Sequence, residues 1–182
     1  MGSVNYRGAT ASDAEQIAHL HADSWSRHYR GAYSDGYLDG EVFEDRRRLW
    51  LERFRHPDED SFTIVAELRS EVVGLAHTCL DSDPKWGALL DNLHVRFGLK
   101  RQGVGRALMT ETATVLRQRR PSSGLYLWVL KQNTSAQAFY SAMGGVVVED
   151  RLGGPFPGGG RAPILRYAWP DISVLAPRIT AE

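Results

Sequence analysis

Two short segments hold residues whose types and spacing suit chemistry. Lys100-Arg101-Gln102-Gly103-Val104-Gly105 lies where a strand ending near Val95 would hand over to a helix starting near Gly103. Glycines at such a turn let the backbone approach a ligand closely. The first turn of the helix adds unpaired N–H groups at the positive end of its dipole. Together they form an anion site suited to phosphate. The segment has only G-x-G, without the G-x-G-x-x-G of a dinucleotide fold or the G-x-x-x-x-G-K-[ST] of a P-loop. Alone, it reads equally well as a tight packing turn. The second segment is N-x-x-A-x-x-F-Y, Asn133 to Tyr140. Asn133 suits a helix N-cap, and Ala136, Phe139 and Tyr140 suit either a core stripe or the wall of a site.

These segments need elements to position them. Ser12 and Glu15 read as a capping box, S-x-x-E, opening a helix in which Ile17, Leu20, His21 and Trp25 recur at near-helical spacing. A loop rich in Gly and Tyr runs from Arg30 to Gly40, and a second helix covers Glu41 to Arg55. From Phe62 the apolar period becomes two. Residues 61–68 and 72–80 read as a hairpin turning at Arg69-Ser70, and 87–95 as a third strand. A helix over 104–119 has Val104, Leu108 and Val115 on one face, with Pro121 and Gly124 beyond its end. Residues 125–130 form a continuous apolar run, as in a strand buried on both faces. A short helix follows over 133–145, stopped at Gly144, and 145–150 with 164–169 make a last strand pair. The connection 152–163 contains five Gly and three Pro and reads as a disordered crossing or a mobile flap. This order specifies one domain, a mixed α/β or α+β sheet with helices on its faces.

The two segments, in this order among these strands, resemble the GNAT acyltransferase superfamily. Lys100 to Gly105 occupies the place of the family's [RQ]-x-x-G-x-[GA] cofactor motif. Leu127, Val129, Asn133, Ala136, Phe139, Tyr140 and Gly144 fit its later L-x-V-x-x-x-N-x-x-A-x-x-F-Y-x-x-x-G pattern. The likeness covers about Phe62 to Asp150. It departs from the pattern at Lys100, where Arg or Gln is usual, and at Gly145, where an aromatic often stands. The resemblance implies a GNAT-like mixed, mostly antiparallel sheet of about six to seven strands flanked by about four helices. It implies an N-acetyltransferase using acetyl-CoA as co-substrate and no metal, with direct attack by a primary amine. By the same resemblance, backbone N–H groups from Arg101 to Arg106 hold the CoA pyrophosphate, and the strand with Leu93, His94 and Val95 splays from the next. The pantetheine arm pairs there like an added strand. A backbone N–H near Val95 to Phe97 polarises the thioester carbonyl, and Tyr140 protonates the departing thiolate.

An alkylammonium must lose a proton before it can attack, so a base is needed. Several family members keep one where Asp91 stands. Asp91 also shares strand parity with Leu93 and Val95, barring a bulge, and it would equally attract an ammonium. His94 has a near-neutral pKa in its favour, but its parity points to the other face. His77 on the preceding strand is third, and a water relay stays open. The acceptor wall falls to 25–37, notably Trp25, Tyr29 and Tyr33, with His28, Asp35 and Tyr37 in the same segment, and to the 152–163 connection. Aromatic rings beside an acid suit a cationic amine. Arg161 and Arg166 suit an acidic group on the acceptor or plain solvent, and Arg46-Arg47-Arg48 reads as the wet face of the second helix. The acceptor, a small-molecule or peptide amine, stays open. So do a hydroxyl acceptor, a longer acyl chain, and a non-catalytic acyl-CoA-binding sensor. Relatives of this kind often dimerise, which carries over as an expectation of a homodimer.

The bulk properties narrow the field. The 182 residues carry 22 basic and 22 acidic side chains, a net charge of zero, without the basic excess of nucleic-acid binders. The single cysteine, Cys79, lies in an alternating apolar run and reads as a core thiol of a reducing compartment. The first residues lack the apolar core of a secretory signal, and no apolar run approaches the roughly 20 residues of a membrane span, so the expected location is cytoplasmic. The histidines show no metal-ligand spacing and no G-x-S-x-G elbow is present.

Overall fold

The computed structural model describes residues 3–176. The expectations that touch residues 1–2 and 177–182 lie outside the described residues. Chain order is β1 (Asn5–Gly8), α1 (Ala14–His28), α2 (Val42–Arg55), β2 (Ser61–Leu68), β3 (Glu71–Asp83), β4 (Gly87–Val95), α3 (Val104–Arg119), β5 (Leu125–Leu130), α4 (Thr134–Ala142), β6 (Val146–Gly153) and β7 (Ala162–Trp169). The seven strands form one sheet in the order β1-β2-β3-β4-β5-β7-β6. Every pairing is antiparallel except β4 with β5. The expected mixed, mostly antiparallel sheet with four helices is therefore present.

The helices cover the two faces unequally. α1 and α2 bury Ile17, Leu20 and Trp50 against Val65, Val72 and Leu75 of β2 and β3. α3 and α4 bury Leu108, Met109, Leu116 and Tyr140 on the opposite face, against Ala76, Leu90, Leu127 and Val129. The apolar positions read on 104–119 point inward because they repeat at helical spacing. The β2–β3 hairpin turns at Arg69 and Ser70, with φ of 53° and 67°, the left-handed pair that a two-residue turn between twisted strands requires. No helix among the described residues is long and apolar enough to cross a membrane.

Several local readings change. The cap ahead of α1 is made by Thr10 and Asp13, not by Ser12 and Glu15. A single 3₁₀ turn, Ala11–Asp13, precedes the helix, and the Thr10 backbone N–H donates to Asp13 Oδ2 at 2.8 Å. Asp13 also binds Arg7, which bridges to Glu67, so β1, β2 and α1 are fastened at one point. β1 itself is four residues long, too short for a pattern to show. A π-helical turn, Tyr37–Glu41, leads into α2. Arg46 does not belong to the wet face: its guanidinium carbon lies 4.3 Å from the centre of the Trp25 ring, and its side chain is mostly buried. Its guanidinium lies over the face of the Trp25 ring, a cation–π contact.

Candidate active site

β4 and β5 pair only at Ala88–Leu125 and Leu89–Tyr126. Beyond Leu89 they part, while β5 stays paired with β7 as far as Leu130–Ile164. The unpaired main chain of β4 borders a cavity of about 630 Å³. Leu93, His94 and Val95 of β4 line it, with Lys100, Arg101, Gly103, Gly105 and Arg106 at the following turn, and Asn133, Ala136, Phe139 and Tyr140 of α4 opposite.

The turn is built as its composition requires. Gly103, at φ +86°, is the residue ahead of the first turn of α3. That left-handed conformation strains any residue with a Cβ and frees the first N–H groups of the helix to face the cavity. A Cβ on Gly105 would stand 3.4 Å from Phe139 Cζ, so a side chain there would fill the cradle. Arg101 and Arg106 are exposed and have no carboxylate partner among the described residues. Open N–H groups, two free guanidiniums and a cleft between strands fit the pyrophosphate and pantetheine of an acyl-CoA. Gln102 and Val104 do not line the cavity. The Gln102 side chain donates to Gly98 O, and Val104 is buried in the core, so each offers the site only its backbone.

Lys100 reaches across the mouth. Its Nζ lies 2.6 Å from Nε2 of His28 at the end of α1. Nδ1 of His28 sits 2.8 Å from Ser24 O, which can only accept, so the proton is on Nδ1 and Nε2 accepts from the ammonium. Burial, then Arg27 nearby, pulls the Lys100 pKa down.

Strand parity places Asp91 with Leu93 and Val95, and the structure corrects this. His77 pairs with Asn92 and Thr78 with Leu90, leaving Asp91 as the extra residue of a β-bulge. An inserted residue turns to a face that alternation does not foresee. Asp91 therefore faces α2, where Arg53 Nη2 donates to its Oδ2 at 2.7 Å and Arg53 Nη1 donates to the neighbouring Asn92. Asp91 is not in the cavity wall. His94 is in that wall and, as parity indicated, lies on the other face from Leu93 and Val95. It is buried, its Nδ1 is 2.9 Å from Ser24 Oγ, and its Nε2 has no protein partner among the described residues. Burial pulls its pKa down to about 3. His77 is likewise held near 4, mainly by burial and then by Arg53, with Nδ1 2.8 Å from Thr63 Oγ1.

Tyr140 is buried in the wall at the end of α4, packed edge-on to Phe139 and Trp169, and burial pushes its phenol pKa up. Asn133 caps α4 by accepting from the Ala136 N–H at 3.2 Å. That fixes the face on which Ala136, Phe139 and Tyr140 stand.

On the α1 side, Tyr29 lines the cavity, and its pKa is pushed up to about 12 by burial first and by Asp91 second. Trp25 and Tyr33 do not line it; they form the layer behind, 5.3 and 5.0 Å from the Tyr29 ring. Asp35 is taken up by Arg30 at 2.9 Å, and Tyr37 by Asp45. Arg166 is tied to Asp83 at 2.8 Å and stacked on Trp128, while Arg161 lies on the rim of the β6–β7 connection. Sequence reasoning missed Ser24, Leu99, Trp128, Val129 and Ser135 in the wall. Trp128 was hidden because an apolar run buried on both faces gives every residue the same reading. Ser24 stands one helical turn before His28, and that spacing was the one available signal. Among the described residues, no group of three or more His, Cys, Asp or Glu is placed to hold a metal ion.

A sheet split at its single parallel pair, with a glycine-opened helix at the mouth, defines an acyl-group transferase fold. The model of the acetyltransferase (GNAT) family matches residues 15–144, and the chain belongs to that family of acetyltransferases. It is 28% identical over 181 residues to the "Uncharacterized N-acetyltransferase YuaI" of Bacillus subtilis (strain 168), covering 94% of this chain and 96% of the relative. The PaiA N-acetyltransferase of Thermoplasma acidophilum, solved in complex with coenzyme A, superposes with a TM-score of 0.71 at 20% identity, over 90% of this chain and 98% of that one. The ribosomal-protein-S18-alanine N-acetyltransferase of Escherichia coli superposes with a TM-score of 0.66 at 20% identity, over 92% and 93%.

Proposed function

We propose that this acetyltransferase moves an acetyl group from acetyl-CoA to a primary amine, by direct attack while both are bound. The observation that carries the reading is the wedge between β4 and β5. One cavity joins an anion-binding turn, an unpaired strand edge and a buried phenol, and its far wall is aromatic. The complex of the Thermoplasma relative with coenzyme A supports a CoA ligand for such a wedge.

The residues divide the work by position. The backbone of Arg101 to Arg106, with the guanidiniums of Arg101 and Arg106, holds the phosphates. The main chain of Leu93 to Val95 pairs with the extended arm, and a free N–H near Val95 supports the developing oxyanion. The thioester supplies an activated acyl carbon with a thiolate leaving group. Tyr140, kept protonated by its burial, stands in the wall and gives that thiolate a proton. On the acceptor side, Tyr29 with Trp25 and Tyr33 behind it gives an aromatic surface for an ammonium. Asp91, which stands outside the cavity wall, supplies negative charge on that side and accepts the proton only through water. Its Oδ1 has no hydrogen-bond partner among the described residues, while Oδ2 is engaged by Arg53.

The test is release of free CoA thiol from acetyl-CoA against polyamines, aminoglycosides, amino acids, arylalkylamines and short peptides. Release that depends on one amine class establishes the transfer and names the class. Binding of acetyl-CoA with silence across the panel overturns transfer in favour of an acyl-CoA-binding module.

A further inference from the structure

The chain has three lysines, Lys85, Lys100 and Lys131. Lys85 is exposed beside Trp86, and Lys131 is paired with Asp150 at the surface. Lys100 alone of the three lines the cavity between β4 and β5. Its head is 2.6 Å from Nε2 of His28, across the mouth on α1. The His28 ring is fixed from behind, with its Nδ1–H donating to Ser24 O at 2.8 Å. Ser24 Oγ in turn lies 2.9 Å from Nδ1 of His94 on β4. Lys100, His28, Ser24 and His94 thus form one line of contacts, and all four stand in the cavity wall. It begins at the glycine turn and ends on the free edge of β4. The lysine head is carried back from the turn towards that edge.

We propose that Lys100 is itself an acetyl acceptor, so that the protein modifies its own cavity wall when acetyl-CoA is bound and no other amine is present. The inference rests on the reading of the cavity as an acetyl-CoA site. An amine attacks a thioester only without its extra proton. Burial, then Arg27 nearby, already favours the neutral amine of Lys100. The imidazole lone pair that would take the proton is already bonded to it. Arginine or glutamine, usual at this place in the family pattern, would supply no such nucleophile: a guanidinium stays charged and an amide is not basic. With the pantetheine arm along Leu93 to Val95, the acyl carbon and this amine share one cavity, which replaces a chance encounter by a fixed approach. The step balances. Lys100 Nζ gives one proton to His28 Nε2, and its freed electron pair forms the bond to the acetyl carbon. The C–S bond breaks, and the sulfur leaves with its electron pair and takes a second proton from the nitrogen. The products are an amide on Lys100, free CoA thiol and a proton that His28 passes to water at the mouth. Nothing is oxidised or reduced.

The experiment incubates the full chain with saturating acetyl-CoA bearing an isotopically labelled acetyl group, without any added amine. Tandem mass spectrometry of its peptides then follows the label at each lysine. Lys100 should gain it at least about tenfold faster than Lys85 and Lys131, which serve as controls for uncatalysed acetylation within the same chain. Its rate constant should not change with protein concentration. His28→Gln should slow labelling of Lys100 about tenfold or more and leave the other two lysines within about twofold. Equal rates at the three lysines would mean ordinary chemical acetylation and overturn the assignment. A rate that rises with protein concentration overturns it too, because one copy is then modifying another. So does an unchanged rate in His28→Gln. Binding of acetyl-CoA, seen by equilibrium dialysis, with Lys100 unlabelled overturns self-acetylation and leaves transfer to a free amine standing. Failure of acetyl-CoA to bind overturns the cofactor reading instead, and the role of Lys100 falls with it.

Discussion

At the scale of single residues, the site's polar groups differ most in how they are held. The Tyr140 phenol is pushed up by burial, so it stays protonated across the working pH range. Removing its hydroxyl removes the proton donor of the proposed mechanism and little packing. Tyr140→Phe should lower kcat about 10²-fold or more while the Kd for CoA stays within about twofold, as measured by initial rates and equilibrium binding. Turnover at the wild-type rate would remove Tyr140 from the chemistry. His94 is the opposite case. With its pKa pulled down to about 3, it is neutral from pH 5 to 9 and is a poor proton acceptor there. His94→Gln should lower kcat/KM through lost packing and its bond to Ser24, without moving the acid limb of the pH profile by more than about 0.3 units. A limb that vanishes with His94 would make it the base.

At the scale of elements, the turn between β4 and α3 is the part most sensitive to a single methyl group. Gly103→Ala forces a Cβ into φ +86° at a cost of about 1 kcal/mol. It should raise the KM of acetyl-CoA about tenfold, since the N–H groups of the turn shift with it. This turn was legible in sequence because glycine spacing is itself the signal. Helix α3 was read to its end residues because its apolar period, the arginines in its last turn and Pro121 agree. The Asp91 bulge was not legible. Nothing in G-A-L-L-D-N-L-H-V marks which residue is extra, and one inserted residue reverses the alternation on which the parity argument stood. β1 and the 3₁₀ turn Ile172–Leu175 escaped for a different reason: each is too short for a period to appear. The packing of the β6–β7 connection against the α1–α2 loop escaped because five glycines and three prolines signal the absence of a packed element, whereas here Gly160 sits where a Cβ would lie 2.1 Å from the backbone Ala32 O. Arg46 was read as wet because charge alone does not reveal an indole beneath it.

At the scale of the whole molecule, the cavity between β4 and β5 lies against a second feature, a line of buried neutral imidazoles between the sheet and α1 and α2. His94 lies tilted against His21 at 4.6 Å, His21 Nδ1 accepts from the Trp50 indole N–H at 3.0 Å, and Trp50 lies edge-on to His77. Burial pulls all three pKa values down, to about 3 for His94 and about 4 for His77. In the unfolded chain these rings take up protons as pH falls through about 6.5. In the folded chain His77 does so only near 4 and His94 near 3. Between those limits the unfolded state holds more protons, so stability present above pH 6.5 is lost as pH falls, by up to about 1.4 kcal/mol per pH unit for each ring. From pH 7 to 5 the His77 and His94 rings together give a loss of roughly 4 kcal/mol, out of a total that is typically 5–15. Asp13 and Asp83, whose pKa values are lowered by Arg7 and by backbone N–H groups respectively, lose their contributions only below about 4, outside this window. Urea denaturation at the two pH values measures the loss. The slope should flatten by about one ring's share in His77→Gln, which removes a titrating group but keeps a partner for Thr63. Equal stability at pH 7 and pH 5 would mean that these rings protonate within the fold, and that the wall behind His94 is wetter than its packing shows.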